Sequence, residues 1–202
     1  MPPVMLPARK VRCPLLLAAL TLAGTALPGA AAPAEEFSPA SPGTGTVTVF
    51  LVRHAEKSED DPRDPTLTAA GRGRAVALAE LLAPEKITHL FSTPLRRTQE
   101  TLAPLALAQH LVVTTIMDVD EQVAALLNLP AGSTAVLAGH SNTVPALVTG
   151  LGGAVSATVA GRAGPQLHED SHDRLFVALL TAPNALPQPR LLRLLELRYG
   201  AP

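Results

Sequence analysis

Three short runs in this 202-residue chain carry side chains suited to handling an anion. They are Arg53-His54, Ser92-Thr93-Pro94-Leu95-Arg96-Arg97 and Gly139-His140-Ser141-Asn142, and each directly follows a stretch of apolar residues. A phosphoryl group in transfer spreads negative charge over three oxygens, and guanidinium groups match it in charge and bidentate geometry. A neutral imidazole is a competent nucleophile at pH 7, and a phosphohistidine divides one hard displacement into two easier ones. Histidines gathered with arginines therefore suit phosphoryl transfer. Thiol-based phosphatase chemistry is excluded downstream of the N-terminal segment, because the single cysteine is Cys13. The net charge of -1 provides no global field for nucleic acid or anionic lipid, so attraction for an anion must be local.

The elements that must position these runs alternate. Residues 47–52 form a β-branched and apolar run of the kind buried on both faces of a sheet. Thr68 is a good N-cap for a helix reaching about residue 82. Further strands are expected at 87–91, 111–116, 134–138, 175–180 and 191–197, the last an edge strand. Helices are expected at 97–110, 121–129 and 143–151, with Pro104 kinking or interrupting the first of these. Such alternation implies an α/β three-layer sandwich, a mainly parallel central sheet flanked by helices. Ligands in such sheets bind beyond the carboxyl ends of the strands, which is where the three runs fall. With 47% hydrophobic and only 2% aromatic residues, the core must be built mostly from Ala, Leu and Val.

The runs also resemble a known family. Leu51-Val52-Arg53-His54-Ala55-Glu56-Lys57 is similar to the Arg-His-Gly signature of the histidine phosphatase (phosphoglycerate mutase-like) superfamily, with Ala55 in the place of Gly. Leu67-Thr68-Ala69-Ala70-Gly71 resembles its Leu-Thr-x-x-Gly helix start. The residues from Ser92 through Thr101 resemble its second signature, and Gly139-His140-Ser141 its third. The resemblance covers residues 47–151, in the family's order, and implies a small-branch member without long insertions. It implies His54 as nucleophile, with Arg53, Arg97 and His140 completing a phosphate pocket, Arg96 at the surface, and no metal or other cofactor. The expected activity is hydrolysis of a small phosphorylated molecule, with export pointing to a sugar phosphate or another organic phosphate, while smaller relatives also act on phosphohistidine in proteins. Lys57 and Asn142 flank the signatures as candidate substrate contacts. Many members carry a proton-donating carboxylate after the third strand, where this chain has Asp118, Asp120 and Glu121. Asp120 is the candidate, although it also suits an N-cap; Asp173 is a more distant one.

Two other readings compete. Gly139-His140-Ser141-Asn142-Thr143 approaches the Gly-x-Ser-x-Gly elbow of serine esterases, but Thr143 replaces the final Gly and the arginines are left unexplained. A module that binds phosphorylated ligands without turnover is the other, supported by the absence of an obvious acid. His89 and His110 read as structural or surface residues. His168 and His172, with Glu169, Asp170 and Asp173, read as a solvated loop rather than a metal site.

The N-terminus has the form of a secretory signal. Arg9, Lys10 and Arg12 precede an apolar run at 15–27, and small residues lead to a cleavage point after Ala34. An uncleaved membrane anchor is the alternative, but the run is shorter than the roughly 20 residues a bilayer span needs. The expected organisation is a signal peptide over 1–34, a flexible Pro- and Ser-rich tether over 35–45, and one catalytic domain over 46–202. The mature protein is expected in the periplasm or outside the cell, with no stable membrane insertion after cleavage and no nucleic-acid partner.

Overall fold

A computed structural model describes residues 45–183 and 191–200. The expected signal peptide and, apart from Gly45, the expected tether lie outside the described residues. The first strand, β1 (Thr46–Arg53), is followed by α1 (Ala69–Leu81), β2 (His89–Ser92), α2 (Arg96–Gln109), β3 (Val113–Thr115) and α3 (Val119–Leu127). Then come β4 (Thr134–Gly139), α4 (Thr143–Gly150), a hairpin of β5 (Val159–Gly161) and β6 (Gly164–Gln166), β7 (Arg174–Thr181) and β8 (Leu191–Arg198).

The central sheet has six strands in the order β3-β2-β4-β1-β7-β8. The pairs from β3 to β1 are parallel, whereas β7 and β8 run antiparallel. Period-two alternation along β1 divides the core into two layers. Val47, Val49 and Leu51 pack with Leu126, Val144, Leu147 and Val148 of α3 and α4. Phe50 and Val52 pack with Leu78, Ala79, Leu102 and Leu105 of α1 and α2. Helices thus cover both faces, and the register places Arg53 beside Gly139 and Ser92 beside Ala138. Because β7 is antiparallel to β1, its first residues arrive at this same edge, with Leu175 opposite Val52.

Two expectations about the elements need correction, and one element was missed. Of the kink or interruption expected at Pro104, the interruption does not occur, and α2 continues through the proline. A proline there removes one backbone hydrogen bond, but burial of Leu102 and Leu105 on either side holds the helix against the sheet. Helix α3 begins at Val119 rather than 121, because the Asp118 carboxylate accepts from the N–H groups of Asp120 (2.9 Å) and Glu121 (3.0 Å). Asp118, not Asp120, is therefore the N-cap. The β5–β6 hairpin was not expected at all.

Candidate active site

Beyond β1 the backbone remains under control. His54 N–H donates to Gly139 O at 2.9 Å, carrying the β1–β4 ladder one residue past the strand. Ala55 N–H donates to Thr101 Oγ1 at 2.9 Å. The His54 side chain is buried, with Nδ1 2.8 Å from Ala55 O. A carbonyl can only accept, so Nδ1 carries the proton and Nε2 keeps its lone pair. Burial pushes the ring's pKa down to about 3, with Arg53, His140 and Arg97 adding to the effect and the Ala55 hydrogen bond opposing it. At neutral pH this imidazole is uncharged, the form a nucleophile requires.

Arg53 is 2% exposed. Its Nη1 donates to His168 O (3.0 Å) and Glu169 O (2.6 Å), and Nη2 lies 3.3 Å from Glu169 Oε1. Arg97 stands on the first turn of α2 with Nη1 4.0 Å from Asp64 Oδ1. Its neighbour Arg96 is the more exposed of the two, 51% against 16% for the side chains. Asp64 also accepts from Arg96 N–H at 2.8 Å, capping a helix whose own N-cap, Leu95, has no side chain to offer.

His140 follows β4, with its N–H on Thr143 Oγ1 at 2.8 Å and its Nε2 3.1 Å from Thr93 Oγ1. The rings of His54 and His140 are 5.4 Å apart. Burial, then Arg97 and Arg53, push the His140 pKa down to about 4. Arg53 Nε, Arg97 Nε and His140 Nδ1 are buried with no hydrogen-bond partner among the described residues. All three belong to residues lining one cavity of about 400 Å³, which His54, Lys57, Thr93, Ser141, Asn142 and Glu169 also line.

The depressed histidines give a signed pH dependence. Below about pH 6.5 the unfolded chain takes up protons that folded His54 and His140 refuse. Their contribution to stability is thus fully present above that pH and is lost as pH falls toward 4 and then 3. Urea midpoints are expected to fall between about pH 7 and about pH 4.5, and more gently in His140→Asn. Identical slopes in the two proteins would remove His140 from this account.

The signatures have physical reasons here. In α2, Thr98 Oγ1 lies 2.8 Å from Thr93 Oγ1, Glu100 Oε2 accepts from Leu67 N–H at 2.8 Å, and Thr101 holds Ala55. Thr68 caps α1 through Gly71 N–H (3.0 Å), and its own N–H donates to Glu56 O (2.8 Å). That approach leaves no room at Gly71, where an added Cβ would lie 2.3 Å from Glu56 O. Gly71→Ala is expected to cost about 1–3 kcal/mol in urea denaturation, since only backbone can give way. An unchanged midpoint would show that the loop after His54 yields freely.

The structure distributes the remaining candidates unevenly. Lys57 and Asn142 line the cavity and are exposed. Asp120 does not line it; it borders a neighbouring concavity beyond Asn142, and the segment after β3 gives the cavity Met117 instead of an acid. Asp173 pairs with Arg198 at 2.6 Å. Ser141 lines the cavity, but no histidine is hydrogen-bonded to its Oγ among the described residues, and Thr143 Oγ1 occupies the turn an esterase elbow keeps clear. His89 stacks on Phe91, and His110 takes the left-handed cap of α2; neither lines the cavity.

The solvated-loop reading holds for His168 and Asp170, which are exposed. Glu169 is exposed as well but also lines the cavity, and the reading fails for His172, which is half-buried. Glu169 is the only carboxylate lining the cavity among the described residues, and His172 Nδ1 lies 2.9 Å from His54 O. Within the described residues, no group of three His, Cys, Asp or Glu side chains is placed to hold a metal.

The sequence profile of the histidine phosphatase superfamily (branch 1) matches residues 49–124. Over that stretch, which holds its Arg-His-Gly, Leu-Thr-x-x-Gly and second signatures, the chain is similar to this superfamily. The matched stretch contains Arg53, His54 and Arg97, while His140, Glu169 and His172 lie beyond it. The uncharacterized protein Rv0525 of Mycobacterium tuberculosis is 42% identical over 84 residues, a match covering 36% of this chain and 39% of that protein's length. The fold is similar to that of the protein histidine phosphatase SixA complexed with tungstate, at 20% identity and TM-score 0.51, covering 73% of this chain and 96% of the other. It is also similar to mycobacterial glucosyl-3-phosphoglycerate phosphatase Rv2419c, at 18% identity and TM-score 0.52, covering 74% and 97%.

Proposed function

We propose that the protein is a phosphatase that hydrolyses phosphomonoesters, or phosphohistidine, through a covalent intermediate on His54. The observation that carries this reading is a buried, neutral His54 with Nε2 uncommitted, in one cavity with two guanidiniums and a second imidazole. In the first step Nε2 attacks phosphorus, the bond to the leaving group breaks, and the departing atom takes a proton. In the second, water attacks phosphorus, the P–N bond breaks, and inorganic phosphate leaves a neutral His54. Arg53, Arg97 and His140 meet the charge on the equatorial oxygens, so no step calls on a metal ion.

The proton source shapes the substrate range. Glu169, the only carboxylate lining the cavity among the described residues, is committed to Arg53 at 3.3 Å. Esters with acidic leaving groups should therefore turn over fastest. SixA and Rv2419c, by their names, bracket the class: a protein phosphohistidine at one end and a phosphorylated sugar derivative at the other. We further propose export to the periplasm or beyond, on the strength of the basic start and apolar run before Ala34. Release of inorganic phosphate from p-nitrophenyl phosphate in the presence of chelator tests the activity. Turnover that disappears with the chelator would end the metal-independent mechanism.

A further inference from the structure

Strand β1 ends at Arg53, so the carbonyl of His54 must find a donor outside the ladder. It finds His172. The His172 Nδ1 lies 2.9 Å from His54 O, and because a carbonyl only accepts, this nitrogen carries the proton. The other polar end of the same peptide group, Ala55 N–H, is held by Thr101 Oγ1 at 2.9 Å. Two side chains from distant elements therefore fix one peptide plane, the one between the nucleophile candidate and the next residue.

His172 is half-buried, and its ring centroid is 5.7 Å from that of His54. It closes a run that also supplies His168 O and Glu169 O to Arg53 Nη1. The orientation of the His54 ring depends on that local backbone, because its own Nδ1 is tied to Ala55 O. Rotating the peptide plane would swing Nε2 away from its line of attack.

We propose that His172 is a positioning residue for His54, acting through its Nδ1–H on the His54 carbonyl. This rests on His54 being the nucleophile. Misplacing a reacting atom by about 1 Å can cost roughly 100-fold in rate, whereas phosphate held by Arg53 and Arg97 need not notice.

The test compares His172→Phe, which keeps a ring without the donor, with His172→Asn, whose side-chain amide can replace Nδ1–H, and with His172→Ala. With p-nitrophenyl phosphate, the Phe and Ala variants are expected to lose about 30- to 100-fold in kcat. Inhibition by inorganic phosphate should stay within about threefold of wild type, and Asn should recover kcat to within about fivefold. A Phe variant with kcat within about threefold of wild type would overturn the proposal. So would loss of kcat that tracks loss of thermal stability across all three variants, Asn included. Should His54→Ala itself retain activity, the nucleophile assignment falls first, and a preserved His172 effect would then belong to some other chemistry.

Discussion

His54→Ala is expected to lower kcat for p-nitrophenyl phosphate by at least about 10⁴-fold, with the fold intact. The backbone contacts at this position, His54 N–H to Gly139 O and His172 to His54 O, do not need the imidazole, so the strand end should survive its removal. His140 is poorly placed to take over. Its Nε2 lies against Thr93 Oγ1, and Thr93 is itself held by Thr98. Wild-type enzyme quenched under turnover in denaturant at alkaline pH should carry alkali-stable, acid-labile phosphate, and the variant should carry none. A variant that keeps its rate within tenfold while giving a native circular dichroism spectrum would sink the covalent mechanism. The arginine cavity would then be a binding site whose turnover depends on activated water.

Much of this arrangement was legible because it is written in side chains at strand ends. A both-faces-buried strand such as β1 leaves few polar residues, so Arg53-His54 stands out, and the parallel topology then dictates which other strand ends share its edge. The antiparallel β7 was visible as a strand but not as a contributor to that edge. Its approach, residues 168–172, meets Arg53 largely through backbone carbonyls, which any residue type could provide. His172 had a signal only in hindsight, as a histidine shortly before a buried strand. The N-cap of α3 did have one. Asp118-x-x-Glu121 has the spacing of a capping box, and with that spacing Asp120 falls in the first turn instead of at the cap. The continuity of α2 through Pro104 was beyond local rules, since tertiary burial of Leu102 and Leu105 decides it.

Arg97→Lys separates charge from geometry, and the expected loss in kcat/KM is about 100-fold or more. A lysine keeps the positive charge near Asp64 but replaces a planar fork by a point charge on a flexible stem. Arg97 Nε is buried without a hydrogen-bond partner among the described residues, so the donor that changes most is one those residues do not use. Stability should therefore move little, and Arg97→Ala should be only modestly worse than the lysine variant in kcat/KM. If the arrangement serves to orient an in-line displacement, the loss should fall on kcat as well as on KM, because equatorial oxygens need fixed donors in the transition state. If Arg97 merely attracts the anion, Arg97→Lys should retain nearly full kcat, and raising ionic strength should weaken substrate binding to wild type and to the lysine variant alike. That second pattern would move the discriminating chemistry to Arg53, the other guanidinium with a buried, unpartnered Nε.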